Sequence, residues 1–388
     1  MLLSTLLTFL IALVASLFMA WVIGAGSSGA TPFAPAVGAN AISILRAAFV
    51  VGFLVFAGAL LQGANVSEAV GTGLVDGVTL PPAGAIIGLG IGAGLMAIGI
   101  YTGYPIATAF TVTGAVIGVG LALGGSPAWP KYQEIAALWL LTPIVGGGTA
   151  YLLASTLPRP DVPERVSIPI LGGLVGIVLS MIEFAILGGP GRPSSLAGVV
   201  GPAVPGGWLS VSLVSGLGVF AVVRVAVDRD QSRALQWFLL SLGALVAFSA
   251  GGSQVGLAIG PLLPLLEDLA IPITGALVGG GLGMLVGAWT GAPRMIKSLS
   301  RDYSALGPRR SISALIPSFV IAQSAVFLGV PISFNEIIVS AIVGSGLAVG
   351  KAGGVSRRKI LLTLVAWVGS FTVALGMGYG LMRAVPVG

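Results

Sequence analysis

Twelve long apolar stretches constrain this chain more than any other feature of its sequence. A helix needs about 20 apolar residues to cross the hydrocarbon core of a bilayer. Such stretches fall near 2–23, 47–62, 83–102, 104–124, 135–157, 166–188, 208–227, 234–264, 271–290, 313–329, 331–350 and 360–382. Of the 388 residues, 56% are apolar and 8% charged, whereas a soluble domain carries about a quarter charged residues. Lipid is therefore the main solvent, and the expected fold is an all-α polytopic membrane protein with about 12 transmembrane segments.

The first stretch, MLLSTLLTFLIALVASLFMAW, lacks the basic start of a secretory signal and reads as a span. The net charge of +6 lies in short loops between apolar stretches, the pattern that retains loops in the cytoplasm rather than one that binds nucleic acid. With no cysteine and no histidine, disulfides, thiol chemistry and imidazole metal sites are excluded. An enzyme is not expected: there is no paired acidic motif for a metal diphosphate. A Ser-Lys hydrolase needs a lysine inside a span, and Lys131, Lys297, Lys351 and Lys359 lie in loops or at span ends.

The chain also contains a duplication. Residues 103–124 align without a gap on residues 329–350, so that Gly103, Pro105, Ile106, Gly118, Gly120 and Gly124 recur 226 positions later. The same offset places Gly26, Ser27 and Pro35 on Gly252, Ser253 and Pro261. Loop charge then gives the relative orientation of the halves. Loop 63–82 holds Glu68 and Asp76 and no cation, whereas 291–310 holds Arg294, Lys297, Arg301, Arg309 and Arg310 against Asp302. Arg46 stands where the second half has Glu267 and Asp268, and the near-neutral loop 126–134 answers a basic one at 351–359. By the positive-inside rule the repeats are inverted. The expected organisation is a first repeat over 1–157, connecting segments over 158–233 and a second repeat over 234–388. Both termini then lie outside, in the cell membrane.

Inverted repeats are a signature of secondary transporters, which bind substrate near the midplane at broken or re-entrant helices. Gly and Pro inside a span free backbone groups that need another partner, so paired breaks point to a site. The first pair is Gly24–Gly38 with Ser249–Pro261, placing Ser27, Ser28 and Thr31 opposite Ser253 and Gln254. The second is the Gly-x-Pro-Ile motif, followed by Thr108 in one half and by Ser333, Asn335 and Glu336 in the other. Half-helix N-termini at such breaks can direct N–H groups at an anion. Glycines at 88, 90, 92 and 94 and at 146–148 read as close helix packing instead. A carboxylate within a span is functional by default. Glu336 is the expected ion or proton site, whereas Glu183 reads as reaching the headgroup region.

At these breaks the chain resembles the inorganic phosphate transporter (PiT) family, whose halves each carry a Gly-Ala/Ser-Asn-Asp-x-x-Asn type motif. AFSAGGSQVGLAIGPL at 247–262 follows the family's framing residues, and FAPAVG at 33–38 and GANVSE at 63–68 sit where the family has similar sequences. The likeness spans roughly 20–125 and 235–385. It departs at the motif acids, replaced by Ser27 and Ser28 and by Ser253 and Gln254. The family's histidine after the Gly-x-Pro break becomes Phe110 and Glu336. The resemblance implies an importer of phosphate, with sulfate as the alternative oxyanion and a passive anion channel as a third reading. It implies no cofactor and no firm metal site, with sodium as candidate coupling ion on Ser27, Ser28, Ser253 and Gln254, and it implies a homodimer.

Overall fold

The computed structural model describes residues 2–188, 193–349 and 355–385. Lys351, the repeat residue Gly350 and the Gly-Pro turn at 189–190 lie outside the described residues. The first half contains α1 (Leu2–Gly26), α2 (Ala34–Gly38), α3 (Ile44–Gln62), α4 (Ala64–Thr72), α5 (Pro82–Thr102), α6 (Thr108–Ala122) and α7 (Trp129–Thr156). The middle is α8 (Glu164–Met181), short turns α9 (Ala185–Gly188) and α10 (Leu196–Val200), and α11 (Gly207–Arg229). The second half contains α12 (Gln231–Ile259), α13 (Leu263–Asp268), α14 (Ile273–Thr290), α15 (Ala292–Arg301), α16 (Pro308–Phe327), α17 (Phe334–Leu347) and α18 (Arg357–Ala384). Their starts carry ordinary signals. Asp230 accepts from the Arg233 N–H to begin α12 and Ser356 from the Lys359 N–H to begin α18. Pro82, Pro130 and Pro308 stand in the first turns of α5, α7 and α16, where a missing N–H costs nothing.

Among the described residues, ten helices are long and apolar enough to cross a bilayer, where the sequence predicts about 12 spans. The two that fall short are α6 and α17, of 15 and 14 residues, each about 22 Å long. Both follow an extended lead after Gly103 or Gly329, so part of each apolar stretch is consumed by non-helical backbone.

The duplication reappears in the packing. Helix α6 starts at Thr108 and α17 at Phe334, the same 226-residue separation found in the sequence. Helix α1 packs on α14 and α5, while α12 packs on α3 and α16; α6 packs on α18 and α17 on α7. Every one of these contacts has its counterpart with the halves exchanged, as a pseudo-two-fold arrangement requires.

Glycine makes the two central seams possible. A Cβ on Gly24 would lie 2.0 Å from the Met284 carbonyl oxygen, and one on Gly287 would lie 2.1 Å from that of Trp21. In the counterpart seam, Gly251 approaches the Val55 oxygen at 2.0 Å and Gly58 the Phe248 oxygen at 1.8 Å on the same measure. Backbone contact of this kind is how helices associate where lipid removes the hydrophobic drive. The packing assignment of the other glycine runs holds only in part. Gly92, Gly146 and Gly147 meet a neighbour at 3.0 to 3.1 Å, while Gly90, Gly94 and Gly148 have nothing within 4 Å.

A second expectation needs correction. The stretch from Ser249 is not unwound: α12 continues to Ile259 and only Gly260–Leu262 tightens into a 3-10 turn before α13. Helix α3 packs along this glycine-rich face, which leaves the backbone helical.

Candidate functional site

The polypeptide is interrupted at three places that meet in the interior. Helix α1 stops at Gly26, and residues 27–33 fold back in turns, with the Ser27 and Ser28 N–H groups on the Ile23 carbonyl at 2.9 and 3.0 Å and the Thr31 N–H on the Ser27 carbonyl at 2.9 Å. Gly29 permits this reversal, since a Cβ there would stand 2.0 Å from the Gly24 oxygen. The other two interruptions are the equivalent extended leads into α6 and α17. Each begins at a left-handed glycine, Gly103 at φ +75° and Gly329 at φ +60°, a conformation open to glycine at little cost.

Side chains join these interruptions into one cluster. Ser27 Oγ donates to Gln254 Oε1 at 3.1 Å, and Gln254 Nε2 donates to the Ile332 carbonyl at 2.6 Å. Asn335 Nδ2 donates to the Ile106 carbonyl at 2.7 Å and to the Gly26 carbonyl at 3.1 Å. Ile106 and Ile332 are repeat equivalents, so an amide side chain holds the same carbonyl in each half. One residue earlier, Trp367 Nε1 donates to the Pro105 carbonyl at 2.7 Å and Trp139 Nε1 to the Pro331 carbonyl at 3.0 Å. Backbone freed by each break is thus bonded from elsewhere in the bundle, as an apolar surrounding demands.

Ser27, Ser28, Thr31, Thr108, Ser253, Gln254, Ser333, Asn335 and Glu336 are all buried, none more than 2% exposed. The bonds named above join Ser27, Gln254 and Asn335 to the breaks, and Ser253 is the chain neighbour of Gln254, on helical rather than unwound backbone. Ser28 turns its hydroxyl back to the Ile23 carbonyl at 3.4 Å. Six of the nine retain an oxygen without a hydrogen-bond partner: the hydroxyls of Thr31, Thr108, Ser253 and Ser333, Asn335 Oδ1 and Glu336 Oε2. Buried polar atoms are nearly always paired, so this concentration points to a ligand with polar chemistry of its own.

The donor set has a definite character. No side chain among the nine is cationic; the Asn335 amide donates to two carbonyls and the Gln254 amide to one. What remains for an anion is hydroxyl groups, the second N–H of Gln254 and the first-turn N–H groups of α6 and α17, whose N-caps are Ala107 and Ser333. What remains for a cation is hard oxygen, of the type sodium prefers. The residues therefore fit a sodium ion as well as an oxyanion. Cavities of about 310, 390 and 850 Å³ lie elsewhere and are lined by other residues; the cluster itself is closed over.

Trp139 and Trp367 stand in the last helix of each half but 228 positions apart, two off the 226-residue offset, so the gapless repeat alignment does not pair them. Phe110, at the position of the family histidine, stacks on Trp139 with ring centroids 3.8 Å apart. Glu183 lies apart from the cluster; its carbonyl accepts from Gln62 Nε2 at 3.0 Å and it lines the 310 Å³ cavity.

Membrane-length helices around buried, interrupted backbone with surplus polar atoms define a multi-pass membrane protein of the transporter class. The chain belongs to the phosphate transporter family, which it matches over residues 23–378. It is 28% identical to a protein of Pyrococcus furiosus described as a candidate phosphate permease, with 92% of this chain and 91% of the relative covered. It is 24% identical to the chloroplast inorganic phosphate transporter 2-1 of Arabidopsis thaliana, covering 90% of this chain and 68% of that protein. Its fold matches a solved structure described as the sodium-dependent phosphate transporter, with a TM-score of 0.80 at 23% identity over 97% of this chain and 98% of the other.

Proposed function

We propose that this protein is a secondary active transporter that imports inorganic phosphate by alternating access, coupled to sodium or protons. The observation that carries the reading is the convergence of the breaks, in which Asn335 and Gln254 hold the equivalent carbonyls of Ile106 and Ile332 beside six unpartnered oxygens. In this reading Ser27, Ser28, Thr31, Thr108, Ser253, Gln254, Ser333 and Asn335 border the anion and its co-transported cation. Ser27, Ser28, Ser253 and Gln254 are the candidate sodium ligands. Glu336, the one carboxylate of the nine, is the coupling residue. Its partner-free Oε2 can carry a proton or complete a cation shell.

In this reading the cluster, closed here, opens to either side in turn. The halves 1–157 and 234–388, inverted about the connecting segments 158–233, supply the two equivalent arrangements between which such a device switches. Membership of the phosphate transporter family favours phosphate over sulfate. The loop charges favour the cell membrane with both termini outside, and the family resemblance favours a homodimer.

Uptake of radiolabelled phosphate into proteoliposomes, with sodium and proton gradients imposed separately, tests the reading. Saturable accumulation against a phosphate gradient is expected under one of them. Equilibration without accumulation supports a channel, and sulfate uptake unaffected by phosphate supports the other oxyanion.

A further inference from the structure

The described cavity of about 850 Å³ lies away from the buried cluster and is lined by Asn40, Glu164, Gln231, Ser232, Arg309 and Arg310 among others. Its charges are organised. Both oxygens of Glu164 are engaged, one by Arg309 Nε and the other by Gln231 Nε2, and Glu164 is 9% exposed. The only carboxylate of the lining is therefore neutralised by one arginine. Arg310 is left as the surplus cation, and its Nη1 is buried with no hydrogen-bond partner. An unpartnered guanidinium nitrogen is expensive, and the guanidinium of Arg310, on the cavity wall, is of the kind that binds phosphoryl oxygens once it turns into the cavity.

The cavity is connected to the central cluster through α2. The turn at 27–33 carries Ser27, Ser28 and Thr31, α2 follows directly, and the next residues, Ala39, Asn40 and Ala41, form cavity wall. Ser311 Oγ donates to the Pro35 carbonyl at 2.7 Å and Gln236 Nε2 to the Ala41 carbonyl at 3.1 Å, which ties α2 between the two regions. Nothing equivalent exists in the first half. The repeat counterparts of Arg309 and Arg310 are Ala83 and Gly84, and those of Ala39 to Ala41 are Leu265, Leu266 and Glu267. The basic pair of the second half thus has no basic counterpart in the first.

We propose that this cavity is a second anion site, an antechamber in which Arg310 receives a phosphoryl oxyanion, either free phosphate or the phosphate of a lipid headgroup. The identity of the ligand rests on the phosphate-transport reading above; the site itself rests on Arg310 and the cavity. The antechamber would hold the anion at the basic end of the bundle, before or after passage through the closed cluster.

Proteoliposomes sorted by orientation, carrying wild type, Arg310→Gln or Arg310→Lys, present either face to radiolabelled phosphate. Arg310→Gln is expected to raise the apparent KM about tenfold at the cavity face, the loss of one charge-assisted contact. It should leave KM at the opposite face unchanged, which also shows that the variant folds. Arg310→Lys should keep most of the affinity. Phosphate binding measured in dodecyl maltoside micelles, which contain no phosphate group, and weakened there by Arg310→Gln assigns the site to free phosphate; a difference between wild type and variant that appears only when phospholipid is added assigns it to the headgroup. No shift at either face, or an equal shift at both, overturns the antechamber while leaving the transport reading intact. If wild type moves no phosphate at all, the transport reading fails, and equilibrium dialysis decides the antechamber separately. Phosphate retention weakened by Arg310→Gln supports it, and unchanged retention overturns it.

Discussion

Asn335 holds Ile106 by a 2.7 Å hydrogen bond from its amide to the main-chain carbonyl, although 229 residues separate them. The same amide nitrogen reaches the Gly26 carbonyl at 3.1 Å. One side chain at the start of α17 therefore fixes two interruptions in the first half. Asn335→Ala leaves both buried acceptors without a donor, at about 1–3 kcal/mol for each. Asn335→Asp places an acceptor opposite two carbonyls and should be worse. The expected result is lower thermal stability in detergent and at least tenfold slower phosphate uptake for Ala, with a larger loss for Asp. Wild-type behaviour of Asn335→Asp would mean that these bonds do not hold the breaks together.

The two tryptophans provide a test of the pseudo-symmetry. Trp367→Phe and Trp139→Phe each remove a donor from a proline carbonyl, Pro105 in one case and Pro331 in the other. Each keeps most of the aromatic packing. Both variants are expected to lose stability by a similar amount, about 1–3 kcal/mol, measured as the shift in denaturation midpoint. Trp139 also stacks on Phe110, so its variant is the more sensitive of the two to a second change at Phe110.

Glycine substitutions separate close contact from mere composition. Gly251→Ala and Gly58→Ala put a methyl group 2.0 and 1.8 Å from a backbone oxygen, and overpacking of this kind costs about 1–3 kcal/mol or more. Gly94→Ala and Gly148→Ala meet nothing within 4 Å and should be neutral or slightly stabilising, since alanine is the better helix former. Thermal unfolding of the purified variants reads both pairs. Equal behaviour of the four would refute the close-packed seam between α3 and α12.

Glu336→Gln preserves shape while removing the one carboxylate of the cluster. If Glu336 carries the coupling proton, the variant exchanges phosphate between the two sides but no longer accumulates it under a proton gradient. If sodium is the coupling ion, the sodium concentration for half-maximal uptake rises instead. Counterflow and gradient-driven uptake measured side by side distinguish these outcomes, and a variant unaltered in both would remove Glu336 from the mechanism.

Much of this arrangement was legible because a duplication leaves a fixed offset, and the offset between Gly103 and Gly329 carries through to the first residues of α6 and α17. The apolar stretches located all ten membrane-length helices and the two short ones. What the sequence could not reveal was which glycines break a helix and which admit a neighbour. Gly251, Gly252 and Gly256 lie in a stretch as glycine-rich as 24–29, but Val55, Gln62 and Ser67 press against them and the helix persists. At Gly29 the chain folds back on Gly24 and Ala288, and there the helix ends. The distinction depends on the partner helix, which local composition does not encode. For the same reason the Trp139 and Trp367 bonds were invisible, since each donates to a carbonyl about 190 or more residues away.

Where phosphate binds is the most direct test. A cryo-electron microscopy map of the protein in lipid nanodiscs with saturating phosphate would show it. Tetrahedral density is expected between the N-termini of α6 and α17, within hydrogen-bond reach of Thr108, Ser253 and Ser333. Phosphate bound only outside this region, with these hydroxyls still packed against protein, would contradict it.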